Sequence, residues 1–432
     1  MILTGVRRID PRTGEDLVGD FEIRLRPGLG SPDQAPPHTR VARGQVLVPG
    51  FIDLHAHLRE PGFEESETVA TGARAALAGG FTTICAMPNT EPALDSAGLV
   101  GELLARAAAA GAARVLPIGT ITRGRRGKEL ADLMELAAAG CVAFSDDGSP
   151  VADARLFRSA LLYAAAAGRP ISEHAQDPAL VGKGVMHEGA VSAKLGLPGQ
   201  PSASEDSAIA RDIALARDTG ARLHVAHLST AGAVELVRRA KSAGVAVTAE
   251  VTPHHLAMTD EWVAGRRALA WEEGPSSTAA QAMPYDSSTK VNPPLRTLAD
   301  VRACWAGLAD GTIDAIATDH APHSSEKKDV EYDQAAFGIS TIETALPLVL
   351  GGVRAGWATL AQVIAALTTG PARVLGRTVP ADDWVLFDPD REWTVSAETL
   401  RSKGRNTPLL GRLLRGRVLL AIVGGEVRYE AS

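Results

Sequence analysis

Two histidines one residue apart, His55 and His57, close an apolar run in GFIDLHAHLREPG, and Arg59 follows at the next alternate position. On an extended chain, residues i and i+2 face the same way about 6 to 7 Å apart. Both imidazoles can therefore converge on one cation at the roughly 2.0 to 2.1 Å of a zinc–nitrogen bond. Taken alone, the pair fits equally well with histidines hydrogen-bonded at a strand end. Three further runs close on His174 (ISEHAQD), His227 (HVAHLST) and Asp319 (ATDHAPH). Imidazole with carboxylate suits zinc or a similar borderline ion. Four histidines and one aspartate exceed the needs of one tetrahedral ion with an open position. They imply two ions about 3.5 to 4 Å apart with a bridging group between them. Asp146 and Asp147 in AFSDDG offer the bridge; alternation turns them to opposite faces without deciding which one points inward. No lysine lies between Lys128 and Lys183, so that run cannot supply a carbamylated lysine as the bridge.

Such residues need a scaffold that gathers distant segments. Between residues 45 and 325, eight apolar or β-branched runs recur: QVLVPGFIDLHAH, FTTICAMPN, ARVLPIGTIT, CVAFSDD, RPISEH, ARLHVAHLS, VAVTAEVTPHH and IDAIATDHAPH. Helical segments rich in Ala, Leu and Arg separate most of them. Gly80, Gly111, Gly140, Gly168, Gly220, Gly244 and Gly311 stand where a left-handed residue ends a helix. Strands alternating with helices predict a (β/α)8 barrel of the TIM type, whose strands deliver their C-terminal residues to one mouth. The flanks read differently, with short alternating runs such as DFEIRLR, WVLFDPD and REWTVS, and with Gly424-Gly425 placed to close a hairpin. Neither flank has enough strands to bury a face alone, so both are expected to build one small β-sandwich. The predicted organisation is residues 1–49 and 378–432 in that sandwich and 50–377 in the barrel. The Gly/Ser/Ala/Pro-rich stretch 262–285 reads as a loop insertion outside the core.

A chain of 432 residues with 45% hydrophobic content can bury a large core. Its net charge of −7 lacks the basic footprint of a nucleic-acid binder. Cys85, Cys141 and Cys304 are widely spaced and odd in number, which suits a reducing compartment. The stretch MILTGVRRIDP has no secretory apolar core, and the alanine-rich segments are broken by arginine before they reach membrane-spanning length. A cytoplasmic protein acting on a small molecule, with no membrane partner, is expected.

The set DLHAHLREPG, AMPNTEP, FSDDGSPV, SEHAQD, HVAHLST, EVTPHHL, KVNPPLR, ATDHAPHS and RSKGRNTPLLG resembles the amidohydrolase superfamily, and within it the class I, bacterial-type dihydroorotases, from about residue 40 to the end. The resemblance implies two Zn2+ ions per subunit. His55, His57 and Asp319 would hold one ion and His174 and His227 the other, with Asp147 rather than Asp146 as the bridge. It implies reversible interconversion of N-carbamoyl-L-aspartate and L-dihydroorotate in pyrimidine biosynthesis, with Asp319 passing the proton of the attacking hydroxide to the leaving nitrogen. Arg59, Asn89 and His323 would grip the substrate carboxylate, while Asn292 and the backbone at Phe337-Gly338 would meet the ring. Arg59 otherwise reads as a surface ion pair, with Glu60 for instance. His254 and His255 read as packing or supporting residues, and His187 and His320 have no assigned role.

A hydantoinase, allantoinase or dihydropyrimidinase is the rival enzyme, disfavoured by the missing lysine and by the presence of Arg59 and Asn89. A non-catalytic dihydroorotase-like subunit of an aspartate transcarbamoylase complex is the rival of another class; such subunits lack metal ligands. An active enzyme of this family can also associate with that transcarbamoylase, and self-association into a homo-oligomer is expected.

Overall fold

The run FTTICA has no polar face because all six of its residues are buried, as a parallel strand covered on both sides requires. It is the second of eight parallel barrel strands: Phe51–Ala56, Phe81–Ala86, Arg114–Gly119, Ala143–Phe144, Ile171–Glu173, Leu223–Val225, Val247–Val251 and Ala315–Ile316. They pair in chain order, and a parallel bridge between Ala56 and His320 joins the eighth strand's extension to the first. In this computed structural model, residues 1–26, 39–272 and 282–431 are described. The helices between strands follow the 3.6-residue period. Helix Ala154–Ala166 buries Phe157, Ala160, Leu161 and Ala164, and the Asp153 carboxylate accepts from the amides of Arg155 and Leu156 at its start. All seven glycines predicted to end helices have positive φ.

The first run does not form one strand. Val46–Pro49 belongs to a second sheet, and the chain switches sheets at Gly50, where a Cβ would lie 2.1 Å from Thr82 Oγ1. In that sheet Val46–Pro49 pairs antiparallel with Trp384–Thr394 and parallel with Ile2–Asp10. Strands Glu15–Glu22, Thr39–Val41, Leu413–Val423 and Glu426–Glu430 bring it to seven. Both termini thus build one structure, as expected. WVLFDPD and REWTVS join into the single strand Trp384–Thr394, with register shifts along it. Gly424 and Gly425, at φ 58° and 81°, close the last hairpin with the left-handed pair that its twist needs. Alternation serves two faces: Leu47, Leu386 and Leu420 pack with Leu3 and Val6, while Val46, Val48, Val385 and Phe387 join the barrel's main hydrophobic cluster. No helix among the described residues is long and apolar enough to cross a membrane.

The expected insertion at 262–285 is corrected by the structure over its first part. Trp262 is fully buried beside Ala257, Met258 and Leu295, and its indole N–H donates to Ala268 O at 2.7 Å. Trp271 packs edge-on to Trp357. Small and polar neighbours hid two aromatic anchors; residues 273–281 lie outside the described residues, as does the proline-containing stretch 27–38 with His38. Trp262→Ala is expected to cost about 3 to 5 kcal/mol of stability. Denaturant unfolding measures this, and a loss under about 1 kcal/mol would mean the indole is not part of the core.

Candidate active site

The ends of strands one, four, five, six and eight contribute to a single cluster. His55 is the last but one residue of the first strand and His57 follows that strand, its amide held by His320 O at 2.9 Å. His174, His227 and Asp319 lie just past strands five, six and eight. The chain turns left-handed at Arg59, His227 and Asp319, with φ of 61°, 33° and 45°. These conformations cost about 1 to 3 kcal/mol each for non-glycine residues. Arg59 therefore reaches the mouth through a turn beyond the strand, not by strand alternation.

Asp147 sits at the centre. Its Oδ1 is 3.4 Å from His55 Nε2, His174 Nδ1 and His227 Nε2, and its Oδ2 is 3.6 Å from His57 Nε2. Asp319 Oδ1 is 3.0 Å from His57 Nε2 and 3.5 Å from His55 Nε2. Asp146 faces the other way: its carboxylate accepts from the amides of Ile121 and Thr122 and from the Thr122 hydroxyl. Asp147 thus lies between the two histidine groups.

The histidines are aimed from behind. His55 Nδ1–H donates to Glu250 Oε1 at 3.0 Å, His57 Nδ1–H to Asn89 Oδ1 at 2.8 Å, and His174 Nε2–H to Gln176 Oε1 at 2.6 Å. Each proton so placed leaves the other ring nitrogen as a lone pair turned toward Asp147 or Asp319. Lone pair against carboxylate is repulsive unless a proton or a metal cation lies between them, and His55 Nε2 is buried without a hydrogen-bond partner among the described residues. Two ligands about 2.0 to 2.1 Å from one tetrahedral zinc lie about 3.4 Å apart, the spacing around Asp147. His55, His57 and Asp147 form one group able to hold a metal ion, and Asp147, His174 and His227 form another.

The electrostatics have the same sign. Burial disfavours ionised Asp147 and Asp319, but the surrounding imidazoles outweigh it and hold both carboxyls well below the ordinary range. Burial also disfavours a charged His55, yet the two carboxylates raise its pKa well above the usual value. The field at that point calls for positive charge, which metal ions would provide.

A cavity of about 170 Å³ opens over the cluster, lined among others by Arg59, Asn89, Asn292, His323, Phe337 and Gly338. Arg59 is buried with no ion pair among the described residues, its Nε donating to Pro322 O at 3.0 Å. Burial lowers its pKa to about 10, so it stays charged at neutral pH. Glu60 is not its partner; that carboxylate meets Arg106 and the Val69 amide. Asn292 Nδ2 lies 3.1 Å from His174 Nε2 and donates to Gln176 Oε1 at 2.9 Å, so both asparagines touch the histidine cluster as well as the cavity. His323 Nε2–H donates to Phe337 O at 2.8 Å. Burial and the neighbouring Arg59 push its pKa down to about 2.

His255 donates to Pro293 O at 3.0 Å, and His187 lies 3.1 Å from Arg296 Nη1. His320 turns away from the cluster, toward Glu67 and Ser402. Sequence reasoning missed Glu250 and His224. Glu250 takes His55 on one oxygen and His224 Nε2 on the other at 3.1 Å. Burial opposes its charge, but the two histidines hold its pKa down at about 2. The one charged residue in VAVTAEV was the available signal. Glu250→Gln is expected to weaken metal retention about 10- to 100-fold, as loss of an orienting carboxylate does. Chelator competition measures this; unchanged retention would remove Glu250 from the orienting role.

A dihydro-orotase-like family model matches residues 44–233. The chain is 52% identical over 442 residues to the dihydroorotase of Anaeromyxobacter dehalogenans strain 2CP-C, covering 100% of this chain and 98% of the relative. The chain belongs to the dihydroorotase family. The dihydroorotase of Geobacter sp. strain M21 is 44% identical over 444 residues, with complete coverage of both chains. The L-hydantoinase of Arthrobacter aurescens superposes with a TM-score of 0.81 over 99% of this chain and 96% of that one, at 24% identity. That likeness extends the barrel fold beyond the dihydroorotase family.

Proposed function

We propose that this chain is a dihydroorotase, interconverting L-dihydroorotate and N-carbamoyl-L-aspartate. The observation that carries the reading is the buried guanidinium of Arg59, without an ion pair among the described residues, on the wall of a cavity that His57, Asp147, His174, His227 and Asp319 also line. Bound cations, zinc in this reading and two per subunit, would polarise the ring carbonyl and acidify the attacking water. His55, His57 and Asp319 would hold one of them and His174 and His227 the other, with Asp147 shared.

The residues of the chain do the rest. Arg59 meets the exocyclic carboxylate with paired charge-assisted hydrogen bonds, which turns the ring amide toward Asp319. Asn89 and His323 border the same carboxylate, and Asn292 and the Phe337-Gly338 backbone border the ring. In hydrolysis, oxygen from water bonds to the carbonyl carbon and the ring carbon–nitrogen bond breaks. Asp319 takes the proton from that water and returns it to the departing nitrogen. Ring closure reverses these steps.

The division into residues 1–49, 50–377 and 378–432 is likewise our reading, supported by the sheet strand that ends at Pro49 and the one that begins at Trp384. Self-association, a cytoplasmic setting and association with an aspartate transcarbamoylase belong to the same reading.

The test is hydrolysis of L-dihydroorotate by metal-loaded protein, followed in the ultraviolet beside hydantoin, allantoin and dihydrouracil. Turnover of dihydroorotate alone is expected. Turnover of rings without the carboxylate would overturn the role of Arg59, and no turnover at full metal loading would favour the non-catalytic subunit.

A further inference from the structure

The RSKGRNTPLLG stretch lies between two strands of the terminal sheet, Trp384–Thr394 and Leu413–Val423, yet its Asn406 is buried against the barrel mouth. Asn406 Nδ2 donates to Ala321 O at 3.0 Å and to Gly338 O at 3.1 Å. Its Oδ1 accepts from the His323 amide at 2.9 Å and from the Ser340 hydroxyl at 3.0 Å. A primary amide has two N–H donors and two acceptor sites, so every valence of this side chain is used. Its backbone carbonyl also takes the Ser340 amide at 3.0 Å.

The two segments joined in this way, Ala321–His323 and Phe337–Ser340, form one side of the cavity. They are pressed together: a Cβ on Gly338 would lie 2.8 Å from Ala321 O and 2.9 Å from His323 Nε2. The first segment also carries Pro322 O, the acceptor that holds Arg59. Asn406 is anchored in turn, since Glu343 accepts the amides of Arg401 and Ser402, and the Ser402 hydroxyl donates to Glu67 Oε2 at 2.5 Å.

We infer that Asn406 is a positioning residue for substrate binding. From the terminal sheet it sets the spacing between the segment bearing His323 and the segment bearing Phe337-Gly338, and through Pro322 the seat of Arg59. It touches neither the metal-ligand cluster nor the cavity. The inference rests on the dihydroorotase reading and deepens it: a cavity wall clamped by the terminal sheet should govern how well the substrate is held, not how fast the bond breaks.

The experiment compares wild-type protein with Asn406→Ala, Asn406→Asp and Ser340→Ala at equal metal content. Asn406→Asp keeps both accepted hydrogen bonds but sets a carboxylate oxygen against two carbonyls. Both Asn406 variants are expected to raise KM for L-dihydroorotate about tenfold or more, with kcat within roughly threefold of wild type. Ser340→Ala should shift KM the same way by less. Amide exchange at Ala321 and Gly338 should quicken without a matching change elsewhere. Should the Asn406 variants not fold, Ser340→Ala decides by the same KM-against-kcat split. An unchanged KM, or equal losses in KM and kcat with exchange raised throughout, would overturn the inference while leaving the activity standing. Failure of wild-type protein to turn over dihydroorotate would instead overturn the activity and, with it, any substrate role for Asn406.

Discussion

Asp319→Asn is expected to leave the fold intact and to lower kcat about a thousandfold or more in both directions, near the upper range for loss of a general acid–base group. The substitution preserves shape while replacing the carboxylate oxygen that lies 3.0 Å from His57 Nε2. An amide cannot take a proton at neutral pH, so neither the acceptance from water nor the return to nitrogen can occur. Rates of hydrolysis and ring closure, read beside metal content, separate this effect from simple metal loss. Substantial turnover at full metal occupancy would remove Asp319 from the proton-transfer role.

Arg59→Met should lower kcat/KM for L-dihydroorotate about a hundredfold or more, because two hydrogen bonds to a charged group contribute about 1.5 to 3 kcal/mol each. Methionine retains much of the apolar stem. Folding stability should change little, since Arg59 has no carboxylate partner among the described residues and what is lost is its Nε bond to Pro322 O and the 3.3 Å contact of its Nη2 with His323 Nε2. Any trace activity toward dihydrouracil, which lacks the carboxylate, should be unaffected. Equal losses toward both rings would mean that Arg59 shapes the cavity without meeting the carboxylate.

The barrel was legible because its signals are local. Helix-ending glycines, β-branched runs and polar residues at run ends survive as short-range patterns, and the structure assembles those runs in the expected order. The 262–285 stretch was misjudged for the same reason: composition averages out Trp262, whose burial depends on Leu295 and Leu409 far along the chain. The first run was read as one strand because the role of Gly50, where the chain leaves one sheet for another, is apparent only once Asp383 O takes its amide at 3.0 Å.

The candidate site divides along the same line. Residue type and strand-end position were enough to pick out His55, His57, His174, His227 and Asp319, since a barrel carries every strand end to one mouth whatever its side chains. Alternation could state that Asp146 and Asp147 diverge. Choosing Asp147 as the inward one on physical grounds required Thr122 and Ile121, which occupy Asp146 from a neighbouring strand end. Glu250, 195 residues from the His55 it orients, and Asn406, 83 residues from the His323 amide it accepts, carry no local sign of the partner that each one meets. Hydrogen-bond partners that distant are selected by the register and packing of the folded chain, where an unpaired buried polar group is costly. Chain order carried the barrel and the clustered histidines and aspartates; three-dimensional packing assigned the groups that aim them.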